Sequence, residues 1–449
     1  WQKGSVTVGH VRLSIVDLTG SRQPMHSPNG RYTLTFNGEI YNYQSLRQEL
    51  EEQGYCFTGG SDTEVLLNGY LAYGEDVLDR LNGIFAFAIW DQRNESLFVA
   101  RDHLGVKPFY YSVTPEGFLF ASELKSLLSF KGMPKDLDFE AVYSHLTFLY
   151  SPGSKTLLKA VNKLEPGYAL RIKKGKIVSQ WRYFDLPYGQ DKDLNSAAEQ
   201  ADTVASALRK AVNSQLVSDV PVGAFLSGGL DSSAIVALAK DSHPDLDLQC
   251  YTIRLNSTEM SSEGFVDDLP FAKKVAKHCG VPLNIVDADS SQIFSLAKMI
   301  YHLDEPQADL APINVLAISE LARSQGIKVL LSGAGGDDIF TGYRRHFALQ
   351  SERYWAFLPK EVRSILKNVS CAFPSDFPLT RRIKKAFEYA DLPPPERLAS
   401  YFSWLHPSKG LDLFSDEVKS SLQNYSPFQD WVYDLRGMDP TATKLDKML

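Results

Sequence analysis

Cysteine is nearly missing from this sequence: four residues (Cys56, Cys250, Cys279, Cys371), widely spaced and without a CxxC pair. That excludes a disulfide framework and a zinc ribbon, and suits reduced thiols in a cytosolic protein, each expected to be a small buried hydrophobe. No apolar run reaches about 18 residues, so no helix is expected to span a bilayer. Long basic runs are also absent. The formal net charge is −7, from 47 Lys and Arg against 54 Asp and Glu. Nucleic acid is thereby excluded as a partner, because neutralising phosphates needs clustered cations. The densest basic patch, Lys173-Lys174-Gly175-Lys176, reads as a hairpin turn. A signal-peptide pattern is lacking too. The sequence opens on Trp1 rather than Met, and is expected to continue upstream, with room there for a targeting segment.

What is present is the balance of a globular enzyme, 44% hydrophobic and 22% charged over 449 residues, long enough for two domains. Short apolar runs bounded by turn residues dominate to about residue 185: Val6 to Ser14, Tyr32 to Phe36, Ile84 to Trp90, Leu97 to Ala100 and Phe118 to Ala121. They read as strands of stacked sheets, with helical spacing only at Tyr43 to Gln53 and Thr63 to Tyr73. A polar stretch, Pro187 to Asn195, reads as a linker. Beyond it strands (Val222 to Leu226, Gln249 to Leu255, Leu283 to Val286, Ile327 to Leu331) alternate with helices (Ala198 to Val217, Ser233 to Lys240, Pro270 to Cys279, Asn314 to Gln325). That alternation predicts a parallel sheet wrapped by helices, followed from Phe347 by a mostly helical region. The expected domains are 1–186 and 196–449.

The sharpest motif is Phe225-Leu226-Ser227-Gly228-Gly229-Leu230-Asp231-Ser232-Ser233, which leaves a buried strand and enters a helix. Adjacent glycines let backbone N–H groups approach an anion, the helix start adds unpaired N–H groups, and three hydroxyls can donate to phosphate oxygens. No Lys follows the last Gly, so this is not a Walker loop. Asp231 would repel a bare anion, but a carboxylate makes sense beside Mg²⁺ bridging to phosphate. The plainer alternative is a strand–turn–helix connection in which Asp231 favours the helix dipole. A second strand end, Ser332-Gly333-Ala334-Gly335-Gly336-Asp337-Asp338, repeats the pattern. In an open α/β sheet both loops could face one cleft, and Asp231 and Asp337 could share a metal.

Ser227 to Ser233 resembles the pyrophosphate loop of ATP pyrophosphatases, and the second loop with Ile339-Phe340-Thr341-Gly342-Tyr343 is similar to the asparagine synthetase version. The resemblance implies that a substrate carboxylate is adenylated by ATP and ammonia then displaces AMP. It places Ser227, Gly228, Gly229, Leu230, Asp231 and Ser232 on pyrophosphate, Phe225, Ile253, Ser332 and Gly333 around adenosine, and Mg²⁺ on Asp231 and Asp337. Ala334 stands where asparagine makers of the family usually have Glu, which puts aspartate as acceptor in doubt.

Four segments of the first domain resemble class II amidotransferases: Gly9 to Asp17, Phe36 to Asn42, Gly60 to Glu64 and Ala100 to Pro108. Singly they are ordinary; Asn37-Gly38 reads as a hairpin turn and Asp62 as a helix N-cap. All four in family order read as a glutaminase. Its chemistry needs a cation for the α-carboxylate of glutamine (Arg12), acceptors for the α-ammonium (Glu39, Asp62) and an oxyanion hole, for which the resemblance implies Asn37 and Gly38. Family position adds Ile15 and Val16, and casts Arg101 and Asp102 as braces. The family nucleophile, an amino-terminal Cys, precedes Trp1 in the family pattern, and Cys56 is not promoted to that role.

The whole resembles asparagine synthetase of the B type. That implies an α/β N-terminal-nucleophile hydrolase sandwich of stacked antiparallel sheets with helices. An α/β parallel-sheet ATP pyrophosphatase domain with a helical C-terminal part follows it. The implied partners are glutamine, ATP, Mg²⁺ and an acceptor carboxylate, and commonly a second copy in a homodimer. Two alternatives differ: an enzyme of the same mechanism acting on a sugar acid or natural-product carboxylate, and a catalytically silent binding or regulatory relative. The intact Ser227 to Ser233 loop and Asp337 speak against the second.

Overall fold

The structure, a computed structural model, describes all residues except 188–195, 256–267, 289, 310, 375–376, 439–441 and 449. The linker expected at Pro187 to Asn195 therefore falls almost wholly outside the described residues. The chain forms two compact units. One comprises Trp1–Lys135, Ala160–Asp185 and Asp193–Ala334; the other comprises Asp136–Lys159, Leu186–Lys192 and Gly335–Leu449. The segment Asp136–Lys159, inside the expected first domain, thus clusters with the carboxyl-terminal helices.

In the first unit a six-stranded antiparallel sheet runs in the order Lys176–Arg182, Tyr168–Lys173, Ser96–Arg101, Gly83–Asp91, Tyr32–Ile40, Met25–His26. Period-two alternation divides its side chains between two cores. Phe85, Phe87, Ile89, Phe98 and Ala100 face the helices Tyr43–Glu52 and Asp62–Tyr73 through Leu46, Leu50, Val65 and Leu66. Their neighbours Ala86, Ala88, Leu97 and Val99 pack with Phe109 and with Tyr111, Phe118 and Phe120 of a three-stranded sheet. The basic patch makes the expected hairpin: Lys173 pairs with Lys176, with Lys174 and Gly175 both at positive φ.

The same unit holds a four-stranded parallel sheet in the order Leu283–Ala288, Gln249–Leu255, Val222–Phe225, Val329–Leu331. One face, with Val222, Ala224 and Cys250, packs on Val236, Ala239, Ala272 and Ala276. The other, with Phe225, Tyr251, Ile253 and Leu330, packs on Ile318 and Ala322. Helices on both faces are what near-continuous apolar strands require.

The second unit is helical, around Phe148, Tyr389, Ala399 and Phe428. It buries an ion pair in which the Arg397 guanidinium donates to Glu352 at 2.7 Å.

Two expectations need correction. Only Val6–Thr7 of Val6 to Ser14 is a strand. The following residues hold their backbone through side chains: Arg12 donates to the carbonyls of Val16 and Asp17, and a His10 ring nitrogen bonds the Phe36 carbonyl at 3.0 Å. Cys56 and Cys371 are exposed, so only Cys250 among the four is the fully buried hydrophobe expected. Asn37-Gly38, a hairpin turn only when taken singly, lies inside the nine-residue Tyr32–Ile40 strand.

Candidate active site

Gly38 pairs with Phe85 of the neighbouring strand. A Cβ built on it would lie 2.1 Å from the Ile84 carbonyl oxygen and 2.7 Å from the Phe85 Cα. Only glycine lets the two backbones come this close. The next strand residue, Glu39, and its neighbour Asn37 open onto a cavity of about 110 Å³. The same cavity is lined by Arg12, Ile15, Val16, Gly38 and Asp62, so all seven residues assigned to glutamine from the sequence meet in one place.

Ser61, not Asp62, caps the Asp62–Tyr73 helix, its hydroxyl accepting from the Glu64 N–H at 3.2 Å. Asp62 is thereby released to turn inward, where its carboxylate accepts the Ile40 N–H at 3.1 Å. Burial pushes the Asp62 carboxyl up, against the pull of that N–H. Burial, and then the nearby Asp62 carboxyl, push Glu39 up to about 7, opposed by Lys107 and Arg12. Burial also lowers the His10 imidazole, which the Phe36 carbonyl partly restores.

Arg101 and Asp102 act as braces. The buried Asp102 carboxylate accepts the N–H groups of Phe85, Leu104, Val106 and Lys107 at 2.9–3.2 Å. The Arg101 guanidinium donates to the Lys107 carbonyl at 2.7 Å. Together they fix the turn that brings Lys107 to the cavity wall. Lys107, His10 and Gln23 line the cavity but were not assigned to the site from the sequence. The first two sit inside the matched segments, where a side chain's direction is invisible. Gln23 lies outside them all, held edge-on to Phe36 by two backbone bonds of 3.0 and 2.7 Å.

At the parallel sheet, the Val222–Phe225 strand ends in a loop of hydroxyls that bond one another. The Ser227 and Ser232 Oγ atoms are 3.0 Å apart, and the Gly229 N–H donates to Ser227 Oγ at 3.3 Å. The helix Leu230–Ser242 follows, and its start receives no side-chain cap. Its first N–H groups therefore point at whatever binds there. Gly333 presses against this turn: a Cβ on it would lie 2.8 Å from the Ser232 nitrogen and 2.9 Å from the Asp231 Cβ. The two glycine-rich loops are thus side by side. Phe225 and Ile253 share the core patch beneath them. Ala334 is exposed, its N–H donating to Ser332 Oγ at 3.1 Å. Asp337 belongs to the second unit, in the helix Gly336–Ile339, where its carbonyl accepts the Gly342 N–H at 2.8 Å. Among the described residues no group of three or more His, Cys, Asp or Glu is placed to hold a metal.

Residues 1–184 match a glutamine amidotransferase domain, and residues 203–446 match asparagine synthase. The chain belongs to the asparagine synthase family. Asparagine synthetase [glutamine-hydrolyzing] 1 of Bacillus subtilis is 34% identical over 94% of this chain and 63% of its own length. A putative asparagine synthetase of Mycobacterium bovis is 37% identical over 83% of this chain and 57% of its own. Amidase chry2 of Gibberella zeae is 33% identical over 75% of this chain and 51% of its own. This chain therefore spans between half and two thirds of the length of these relatives. Their shared family accounts for the two-part layout, an amidotransferase sheet pair followed by a parallel sheet with helices.

Proposed function

We propose that the protein is a glutamine-dependent, ATP-consuming amide-forming ligase. Glutamine is hydrolysed to glutamate and ammonia by the region 1–186. In the region 196–449 an acceptor carboxylate attacks the α-phosphate of ATP and expels pyrophosphate. Ammonia then displaces AMP from the acyl-adenylate, leaving an amide and releasing a proton. The carrying observation is that seven residues from three separate segments, Arg12, Ile15, Val16, Asn37, Gly38, Glu39 and Asp62, line one cavity.

In that cavity Arg12 pairs with the α-carboxylate of glutamine, Glu39 and Asp62 accept its α-ammonium, and Asn37 and Gly38 form the oxyanion hole. Ser227, Gly228, Gly229, Leu230 and Ser232 cradle pyrophosphate, while Phe225, Ile253, Ser332 and Gly333 line the adenosine side. Hydroxyls, glycines and an uncapped helix start suit a magnesium–phosphate group. Mg²⁺ also favours one or two carboxylates with substrate oxygens over an all-protein cage, so Asp231 is the candidate ligand in this unit and the ion would neutralise phosphate charge. A cytoplasmic setting and a homodimer belong to the same proposal.

Glu39 supplies a pH signature. Its carboxyl titrates at about 7, so below that pH it loses the charge that attracts an ammonium. For glutamine hydrolysis, kcat/KM should fall about tenfold per pH unit on the acid side of this value. Glu39→Gln should remove that dependence while raising the glutamine KM. A wild-type profile flat from pH 7 down to 5 would contradict the assignment.

The acceptor is aspartate by family default. A second reading, another carboxylate, is favoured by Ala334, whose methyl group cannot move a proton, and by the kinship with a fungal amidase. Pyrophosphate release by the full-length enzyme with ATP, Mg²⁺ and ammonium, with and without aspartate, decides between them. Aspartate-dependent release with equimolar asparagine supports the first. ATP turnover that responds only to other carboxylates supports the second, and none with any carboxylate overturns both.

A further inference from the structure

The cavity wall formed by Ile15 and Val16 belongs to a segment with no strand ladder of its own. Its position depends on side-chain bonds. Arg12 ties it from within, and the Asp17 carboxylate accepts the N–H groups of Gly20 at 2.8 Å and Gly60 at 3.0 Å. A further tether comes from 202 residues away. The Asp17 N–H donates to the Asp219 carboxylate at 2.7 Å, and the Asp219 N–H donates to the Ile15 carbonyl at 3.0 Å.

Asp219 is itself held in a tight turn. Ser218 Oγ accepts the Val220 N–H at 3.2 Å and donates to the Val220 carbonyl at 2.9 Å. Pro221 follows, and then the Val222–Phe225 strand that ends in the Ser227 loop. The two bonds from one residue hold the peptide units on both sides of Val16, the Ile15 carbonyl and the Asp17 N–H. A single residue, through its carboxylate and its N–H, therefore joins the foot of the Val222–Phe225 strand to the wall of the cavity, within one compact unit.

We propose that Asp219 is a positioning residue for glutamine: it holds Ile15 to Asp17 in the conformation that binds substrate, although it lies in the region that handles ATP. The inference rests on the reading of this cavity as a glutamine site. Asp219 touches no substrate, so its removal loosens binding without removing a reacting group. Asp219→Ala deletes the acceptor for the Asp17 N–H. Asp219→Asn keeps an acceptor oxygen but not the charge.

The test is glutamine hydrolysis by the full-length enzyme, with ammonium-supported pyrophosphate release as the internal control for folding. Asp219→Ala should raise the glutamine KM about five- to tenfold, as loss of one charge-assisted bond predicts. Its kcat and its ammonium-supported rate should stay within about twofold of wild type. Asp219→Asn should recover most of the KM, which simple loosening of the fold would not produce. Should the alanine variant fail to fold, the asparagine variant decides alone: its KM must rise by less than about threefold and by more than nothing. An unchanged KM in Asp219→Ala, or equal losses in both variants, overturns the inference while leaving the glutamine site standing. A wild-type enzyme that hydrolyses no glutamine overturns the functional reading, and this inference with it.

Discussion

Replacing Gly38 with alanine should abolish glutamine-dependent amide formation while ammonium-dependent formation continues. The added methyl would meet the Ile84 carbonyl oxygen at 2.1 Å and the Phe85 Cα at 2.7 Å. Both are backbone atoms of the Gly83–Asp91 strand, whose Phe85 and Phe87 are buried, so neither can swing away as a side-chain tip could. Relief requires the two strands to part where Asn37, Gly38 and Glu39 face the cavity. Overpacking of a rigid site costs about 1–3 kcal/mol in stability. Displacing an oxyanion-hole donor costs about 10²–10³ in rate. The expected result is a glutaminase kcat/KM at least about a hundredfold lower, beside ammonium-supported pyrophosphate release within about threefold of wild type. Glutaminase activity near the wild-type level would mean that the close approach of the strands has no part in catalysis.

Gly228→Ala should have the complementary outcome. Gly228 adopts φ +85°, a conformation that costs an L residue about 1–2 kcal/mol. Its missing side chain also makes room for the helix Leu269–Cys279: a Cβ would lie 2.5 Å from the Ala272 nitrogen, 2.8 Å from the Phe271 Cβ and 2.9 Å from the Asp268 carbonyl oxygen. Strain and collision act together, so the loop should lift from the helix and lose its hydroxyl network. Pyrophosphate release should fall by at least about a hundredfold with glutamine and with ammonium alike, while glutamine hydrolysis persists. If both nitrogen sources still supported release, the loop would not be the phosphate cradle. The two glycine variants therefore separate the half-reactions, and a thermal melt on each reports how much of the loss is folding.

Both sites were legible as residue types because their chemistry is local in sequence. A hydroxyl- and glycine-rich turn between a strand and a helix is written in consecutive letters, as are the four amidotransferase segments. Strand positions survived for a similar reason: Gln249–Leu255 runs between the residues its apolar pattern marks. Taken singly, some local chemistry hides a nonlocal purpose. Asn37-Gly38 carries the composition of a turn, yet its glycine serves the approach of a second strand. Asp62 has the type of a cap, yet Ser61 caps and Asp62 faces inward. Val6 to Ser14 has the apolar content of a strand, but its bonds run to side chains.

By itself the amino-acid sequence determined the family, most of the order of strands and helices, and the residue types gathered at the two candidate sites. Those follow from periodicity and from short motifs whose meaning does not depend on distant neighbours. Only the tertiary structure decided that Lys107, His10 and Gln23 share the cavity with Arg12 and Asn37, that burial pushes Glu39 up to about 7, and that Asp219 reaches the Ile15 to Asp17 segment. Each of these depends on which groups meet across long stretches of chain and on how much water their meeting excludes, and neither quantity is written in the order of residues.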